Sequence, residues 1–308
     1  MTPAKAAREA ERFNARCPVG TPVRFWPGLY TGPGILSRVR DRAVVMSDHA
    51  SVWVEGHASS VKLSHVAPIV DHQVLFSTPM VRALLRGDKT QTRRLIKAPR
   101  WAERGDLEIM DDGPYAVARA SGCLAAIRSP YGMPGDTLSV RETWAHRSDL
   151  RAVDQGPYPY LYAADTPGGR EYHDDTTPLR WRPSIFMPCE AARIRLAITD
   201  VRAERLHGIS CVDAAAEGMA SYWRDLDMRS AARIGNAWTR FAVRHGWEKT
   251  APDYRGLYAA LWEKINPGTW ESNPWVWVVT FRRTAPELDR HLPSPIGSTA
   301  RHARMGRR

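Results

Sequence analysis

The chain has 308 residues, enough for one large domain or two modest ones around a sizeable core. Hydrophobic residues make up 43% and charged residues 25%, as in an ordinary globular protein, but 44 Lys and Arg against 33 Asp and Glu leave a net charge of +11. That excess favours polyanionic partners, nucleic acid above all. Cys17, Cys123, Cys189 and Cys211 lie far apart, with no short paired spacing, which argues against both a disulfide framework and a zinc site. No stretch approaches the ~20 apolar residues of a membrane span, and "MTPAKAAREAERFNARC" lacks the apolar core of a secretory signal. The expected location is the cytoplasm, with no membrane partner.

Residues 1–16, rich in Ala, Arg and Glu, read as a solvated helical or disordered arm. From Cys17 the pattern changes to brief strands punctuated by turn residues: "VGTPVRFWPG", "GILSRVR", "RAVVMS", "SVWVEG" and "SVKLSHVAPI". These predict a small all-β, SH3-like barrel over 17–70, centred on Val23, Phe25, Val44, Val52, Val54, Val61 and Leu63. His49, His57 and His65 recur at regular intervals, but residues of neighbouring hairpins do so too, and no metal site is assigned.

A second domain is predicted over 71–283. "HQVLFS" reads as a strand. Ser77 or Thr78 caps the helix that follows, Pro79 sits in its first turn, Val81, Leu84 and Leu85 form its apolar face, and Gly87 ends it. Residues 97–130 are expected to be an irregular insertion. "YGMPGDTLSVRETWA" gives a turn into a strand, with Leu138 and Val140 pointing one way. Residues 145–180 read as a second, polar insertion. In "ARIRLAITDVRAERL" Ile194, Leu196 and Ile198 alternate, and Ser210 with Asp213 reads as a capping box for a short helix closing on Gly218. The stretch 221–265 is expected to be mostly helical, with Trp238, Phe241 and Trp262 as anchors. "NPWVWVVTFRR" closes the domain with Trp275, Trp277, Val279 and Phe281 on one side; 284–308 reads as a disordered basic tail. Trp26, Trp53, Trp262, Trp275 and Trp277 are assigned to core, and Trp144 and Trp181 to the surface.

The segments "LFSTPMVRALLRGDKTQTRR", "YGMPGDTLSVRETW", "WRPSIFMP", "ITDVRAERLHGISCVDAAAEGM" and "LYAALWEKINPGTWESNPWVWVVTF" resemble the phage and prophage branch of the ASCH-domain family. The resemblance covers about Gln73 to Arg283, and the 17–70 module is more weakly similar to a small domain of actinobacterial phage proteins. It implies an α+β fold: a PUA-like (ASCH) β-barrel with flanking helices and insertions. It also implies RNA binding or handling of a modified nucleobase, in the cytoplasm of a bacterial host. A small bacterial member of the family is an amidohydrolase that removes the acetyl group from N4-acetylcytidine with a Lys, a Thr and a Glu. Matching its motif places these on Lys89, Thr92 and Glu217.

The residues themselves admit that chemistry. A Thr hydroxyl becomes a nucleophile when a base takes its proton, and a Lys serves as that base when burial and neighbours such as Arg93 and Arg94 lower its pKa. A helical Glu kept protonated then donates to the leaving amine. The competing reading is a binder. Here Lys89, Arg93 and Arg94 hold phosphate, Thr90 and Thr92 donate hydrogen bonds, and Arg141, Glu142 and Trp144 offer a stacking face and edge contacts to an unpaired base. The sequence thus predicts a nucleic-acid or modified-nucleobase binding protein built around Gly87–Arg94, RNA being favoured over DNA. The alternatives are an amidohydrolase of N4-acylated cytidine-like nucleosides and a ribonuclease. No cofactor or metal is assigned. In a regular strand Lys89 and Thr92 would point to opposite faces, so a shared site requires a bend after Gly87.

Overall fold

The structure is a computed structural model that describes residues 2–29, 34–97, 108–112, 115–120, 123–146, 159–166, 173–174, 177–178, 180–225, 235–236, 239 and 254–284, with side chains outside 108–126 and 173–178. Trp238, Phe241 and the tail from 285 onward lie outside the described residues. Helix α1 (Pro3–Arg16) precedes β1 (Pro22–Phe25), β2 (Ile35–Arg38), β3 (Val44–Met46), β4 (His49–Val52), β5 (Val61–Lys62) and β6 (Val66–Pro68). The strands form two antiparallel three-stranded sheets, β2-β1-β6 and β3-β4-β5, joined by a bridge between Val39 and Val54.

Between these sheets Val23, Phe25, Val52, Val54, Val61 and Leu63 are buried together, as the alternation predicts. Val44 is not: it is 43% exposed, because β3 is an edge strand whose three residues all face solvent, and Val39 joins the core instead. The arm is no solvated appendage either. Ala6 and Ala10, one turn apart on α1, are buried, and Phe13 packs against the same core. The Asn14 amide fixes the helix by donating to Ala43 O and accepting from Ala43 N, at 2.9 and 2.7 Å.

The remainder continues with β7 (Asp71–Leu75), α2 (Thr78–Arg86), β8 (Gln91–Leu95), β9 (Glu108–Asp112), β10 (Tyr115–Ala120), β11 (Cys123–Arg128), β12 (Thr137–Arg141) and β13 (Trp144–His146). It ends with β14 (Tyr160–Tyr162), β15 (His173–Asp174), β16 (Thr177–Pro178), β17 (Arg195–Arg205), α3 (Cys211–Ala216), α4 (Met219–Arg224), α5 (Tyr254–Ile265) and β18 (Trp275–Arg283). The fold is mixed α+β. Its main sheet runs β7-β12-β17-β18-β8, with β7 and β12 parallel and the other neighbours antiparallel.

Both faces of that sheet are covered. Trp277, Val279 and Phe281 of β18 point into one core with Val74, Leu84, Leu138, Val140, Ile194, Leu196 and Ile198. Val276 and Val278 point the other way, against Ala214, Met219, Tyr258 and Trp262 of α3–α5. A strand covered on both faces reads as a continuous apolar run, which is how "WVWVV" reads. One expectation is corrected here: within the stretch expected to be irregular, Glu108–Asp112, Tyr115–Ala120 and Cys123–Arg128 pair as the antiparallel sheet β9-β10-β11. Further on, β13 pairs with β14, whose Tyr160 and Tyr162 pack against Trp144, Met187, Ala191 and Ala192.

A buried charge pair ties the first part to the second. Arg24 and Asp136 are both 2% exposed in their side chains and lie 3.4 Å apart, and Arg24 also donates to Pro134 O. Asp136 further accepts from the backbone N–H of Val70 and Met133. The turn before it admits only glycine: Gly135 has φ +94°, and a Cβ there would lie 2.5 Å from Leu36 and 2.8 Å from Arg24. Asp136→Ala strands a buried guanidinium and should lower stability by about 3–5 kcal/mol in urea denaturation, against less than about 1 kcal/mol for removal of the exposed Arg40–Asp41 pair.

Candidate functional site: a buried Lys89–Glu217 pair beside a small cavity

The bend that a shared site requires is present. Gly87 adopts φ 86°, so α2 ends there and the N–H groups of Asp88 and Lys89 both turn back to Ala83 O. Lys89 therefore precedes β8 rather than belonging to it, and forms an antiparallel bridge with Glu217. The next N–H, of Thr90, donates to Ala216 O at 2.8 Å. On the other side, the Ser210–Asp213 capping box starts α3, and Gly218 (φ 88°) ends it against Lys89: a Cβ there would lie 2.9 Å from Ala83 Cβ and 3.1 Å from Lys89 Cβ. Two left-handed glycines thus let the end of α2 and the end of α3 meet.

The Lys89 side chain is fully buried, and its ammonium donates to Gln91 O at 2.8 Å, Glu217 O at 2.9 Å and Glu217 Oε2 at 2.8 Å. Three donors meet three acceptors. The Gln91 carbonyl is free for this because β8 is an edge strand. The bonds Phe281 N to Thr90 O and Ile96 N to Trp275 O set the phase, so the even-numbered residues pair with β18 and Gln91, Arg93 and Leu95 turn their backbone groups outward. Burial pulls the Lys89 pKa below the ordinary lysine value; the Glu217 carboxylate opposes that shift, and Arg94 and Arg93 add to it.

Arg93 is equally enclosed. Its Nη2 lies 3.2 Å from Glu204 Oε2 and 3.4 Å from Asp213 Oδ2, while Nη1 stands 3.8 Å from Glu217 Oε1, too far for a hydrogen bond. Burial works against the charge on Asp213, yet bonds from the Ser210 hydroxyl and backbone N–H, with Arg93, hold its carboxyl below the usual range. Arg202 pairs with Asp200 and Glu204 at the rim. The cluster's cations, Lys89, Arg93 and Arg202, thus face four carboxylates, those of Asp200, Glu204, Asp213 and Glu217.

Thr92, Arg93, Arg94 and Glu217 line a cavity of about 60 Å³, together with Met80, Leu95, Tyr258, Leu261, Trp262, Ile265 and Asn266. Tyr258 is buried, and burial together with the Glu217 charge keeps its phenol protonated well above the ordinary value. Sequence reasoning passed over Tyr258; its signal was the spacing of four to Trp262, which puts both rings on one face of α5, 6.0 Å apart.

Of the three residues matched to the motif, Lys89 and Glu217 are in direct contact, and Thr92 and Glu217 line one cavity. The other residues singled out in the sequence are placed differently. Thr90 is exposed. Arg94 lines the cavity, but its guanidinium crosses to the far edge of the sheet, donating to Leu75 O at 2.9 Å and lying over the Phe76 ring. Arg141, Glu142 and Trp144 do not line this cavity. Arg141 donates to Ile185 O, and Glu142, 1% exposed, is held by Arg193 at 2.9 and 3.2 Å. Trp144 is corrected from surface to core: it is 7% exposed, with Tyr160 edge-on and Arg182 over its ring.

Lys89→Met leaves the Glu217 carboxylate buried and uncompensated, and should cost about 3–5 kcal/mol in chemical denaturation. The double variant Lys89→Met/Glu217→Gln should recover most of that loss, giving a large coupling energy in the cycle.

No protein-family model, curated protein or solved structure matches the chain.

Proposed function

We propose that the second part of the chain is a PUA-like, ASCH-type domain that takes up a modified nucleobase or nucleoside at this cavity and hydrolyses an acylated amine on it. The fold reading is supported by the curl of the main sheet: its two edge strands do not pair, yet the Arg94 side chain on β8 reaches the Leu75 carbonyl on β7. The 17–70 module is read as SH3-like within the same proposal.

The observation that carries the activity is the contact between Lys89 and Glu217 beside a cavity that Glu217 shares with Thr92. The Glu217 carboxylate, held by the Lys89 ammonium at 2.8 Å, is the proton acceptor of the site. Thr92 Oγ1 attacks the acyl carbon and its proton passes to that carboxylate. The C–N bond then breaks, and the amine leaves with that proton. A water molecule next cleaves the acyl–Thr92 ester, releasing the carboxylic acid and restoring the hydroxyl. Tyr258 supplies a donor in the cavity wall for the oxygen that becomes negative.

Binding of an RNA strand without turnover is the second reading, and the net charge of +11 favours it. Its phosphate contacts do not fall on Lys89 or Arg93, both fully enclosed in their side chains, and the same enclosure weighs against a ribonuclease built on them.

Purified protein should convert N4-acetylcytidine to cytidine and acetate, followed by chromatography. Thr92→Ala should lower turnover about 100-fold or more with the melting temperature unchanged. Absence of turnover across a panel of acylated nucleosides, together with RNA binding that weakens as salt rises, replaces the enzyme with the binder.

A further inference from the structure

A second cavity, of about 180 Å³, lies on the N-terminal module where α1 meets the strands it packs on. Phe13, Cys17, Leu63 and Pro68 give it an apolar floor, and Glu9, Arg12 and Arg16 of α1 stand along it. Burial raises the Cys17 pKa against the pull of the Arg16 charge, so the thiol stays neutral and the floor uncharged. Arg12 and Arg16 are exposed, one turn apart, and neither forms an ion pair among the described residues. Glu9 shares their wall, but one carboxylate does not cancel two guanidiniums. Lys5 and Arg8 continue the cations along α1.

We infer that this cavity and the cations beside it dock an acidic segment of a partner protein. One large apolar side chain of the segment fills the cavity, and the carboxylates flanking it pair with Arg12 and Arg16, whose planar forks suit carboxylates. The size agrees: a cavity of ~150 Å³ holds a benzene ring, so about 180 Å³ takes one leucine or phenylalanine side chain. The length agrees as well. Lys5 to Arg16 runs about 16 Å along the helix, close to the span of five extended residues, whereas a ligand no larger than the cavity leaves Lys5 and Arg8 unused. A nucleic-acid strand suits the cations but not the floor. A base carries ring nitrogens and carbonyl groups that Phe13, Leu63 and Pro68 cannot pair, and burying them unpaired is costly. A hydrocarbon side chain needs only contact. The inference does not rest on the hydrolase reading, because none of these residues belongs to the cavity beside Glu217.

The test titrates the full chain into the fluorescein-labelled peptide Glu-Asp-Glu-Leu-Glu-Asp-Glu and into its counterpart with alanine at the centre, followed by fluorescence anisotropy. The leucine peptide should bind at least about tenfold more tightly than the alanine peptide. The double variant Arg12→Glu/Arg16→Glu, on exposed positions, should weaken the leucine peptide at least about tenfold. Cys17→Leu fills the floor and should erase the advantage of leucine over alanine; if that variant does not fold, the peptide pair and the arginine variant decide. No binding of the leucine peptide below about 1 mM, equal binding of the two peptides, or an unchanged affinity in Arg12→Glu/Arg16→Glu each overturns the inference. A labelled oligouridylate of seven nucleotides that binds more tightly than the leucine peptide, and loses that affinity in the arginine variant, assigns the row to nucleic acid and overturns it too.

Discussion

One ammonium holds the second part of the molecule in register. Lys89 joins the outward-facing carbonyl of an edge strand to both the backbone and the side chain of Glu217, which lies 128 positions further along the chain. Removing two charges from water is costly, and the cost is offset only when every proton and lone pair finds a partner at good geometry. Here the three protons do, and that requirement dictates the neighbourhood. Gly87 must be left-handed to swing Lys89 out of line with β8, and Gly218 must be left-handed and without a side chain to let α3 close on it. The carboxylate that results has one oxygen fixed by Lys89, while the other faces the Arg93 guanidinium at 3.8 Å.

Much of this was legible because it is local. The Pro79 start and glycine stop of α2, the Ser210–Asp213 box and the alternation in β17 and β18 are written within a few residues, and the structure has each in place, although Ser77 at the head of α2 makes no side-chain capping bond. What sequence reading missed depends on distant partners. Val44 alternates correctly but lies on an edge, and the alanines of α1 look solvated until a core is there to receive them. Trp144 sits beside arginines in sequence, yet Met187 and Ala191, more than 40 residues away, bury it. The sheet β9-β10-β11 is poor in large apolar residues in its "YAVARA" strand, so it carries little of the periodic signal that marks strands elsewhere.

The site shows the same division. The Lys–Thr–x–Thr–x–Arg run was visible as chemistry, and the bend after Gly87 was visible as a necessity. Which groups would be sealed and which left open was not. Arg93, read as a phosphate ligand, is instead shut in by Glu204, Asp213 and Glu217. A guanidinium surrounded by carboxylates has little attraction left for a polyanion, because its field is cancelled within a few ångströms.

The positive surplus must therefore lie elsewhere, and part of it lies on the N-terminal helix. Lys5, Arg8, Arg12 and Arg16 recur at helical spacing on α1 and are exposed, while the opposite face, through Ala6, Ala10 and Phe13, is committed to the core. Arg38, Arg40, Arg42 and Lys62 add exposed cations on the same module. Charge and chemistry are thus separated along the chain. The cations beside the cavity are paired with carboxylates, and the open basic surface belongs to the part of the molecule that the Arg24–Asp136 pair fastens to it. A polyanion drawn to α1 would raise the local concentration of whatever it carries without entering the cavity, so salt acts on such docking and leaves the enclosed contacts almost untouched.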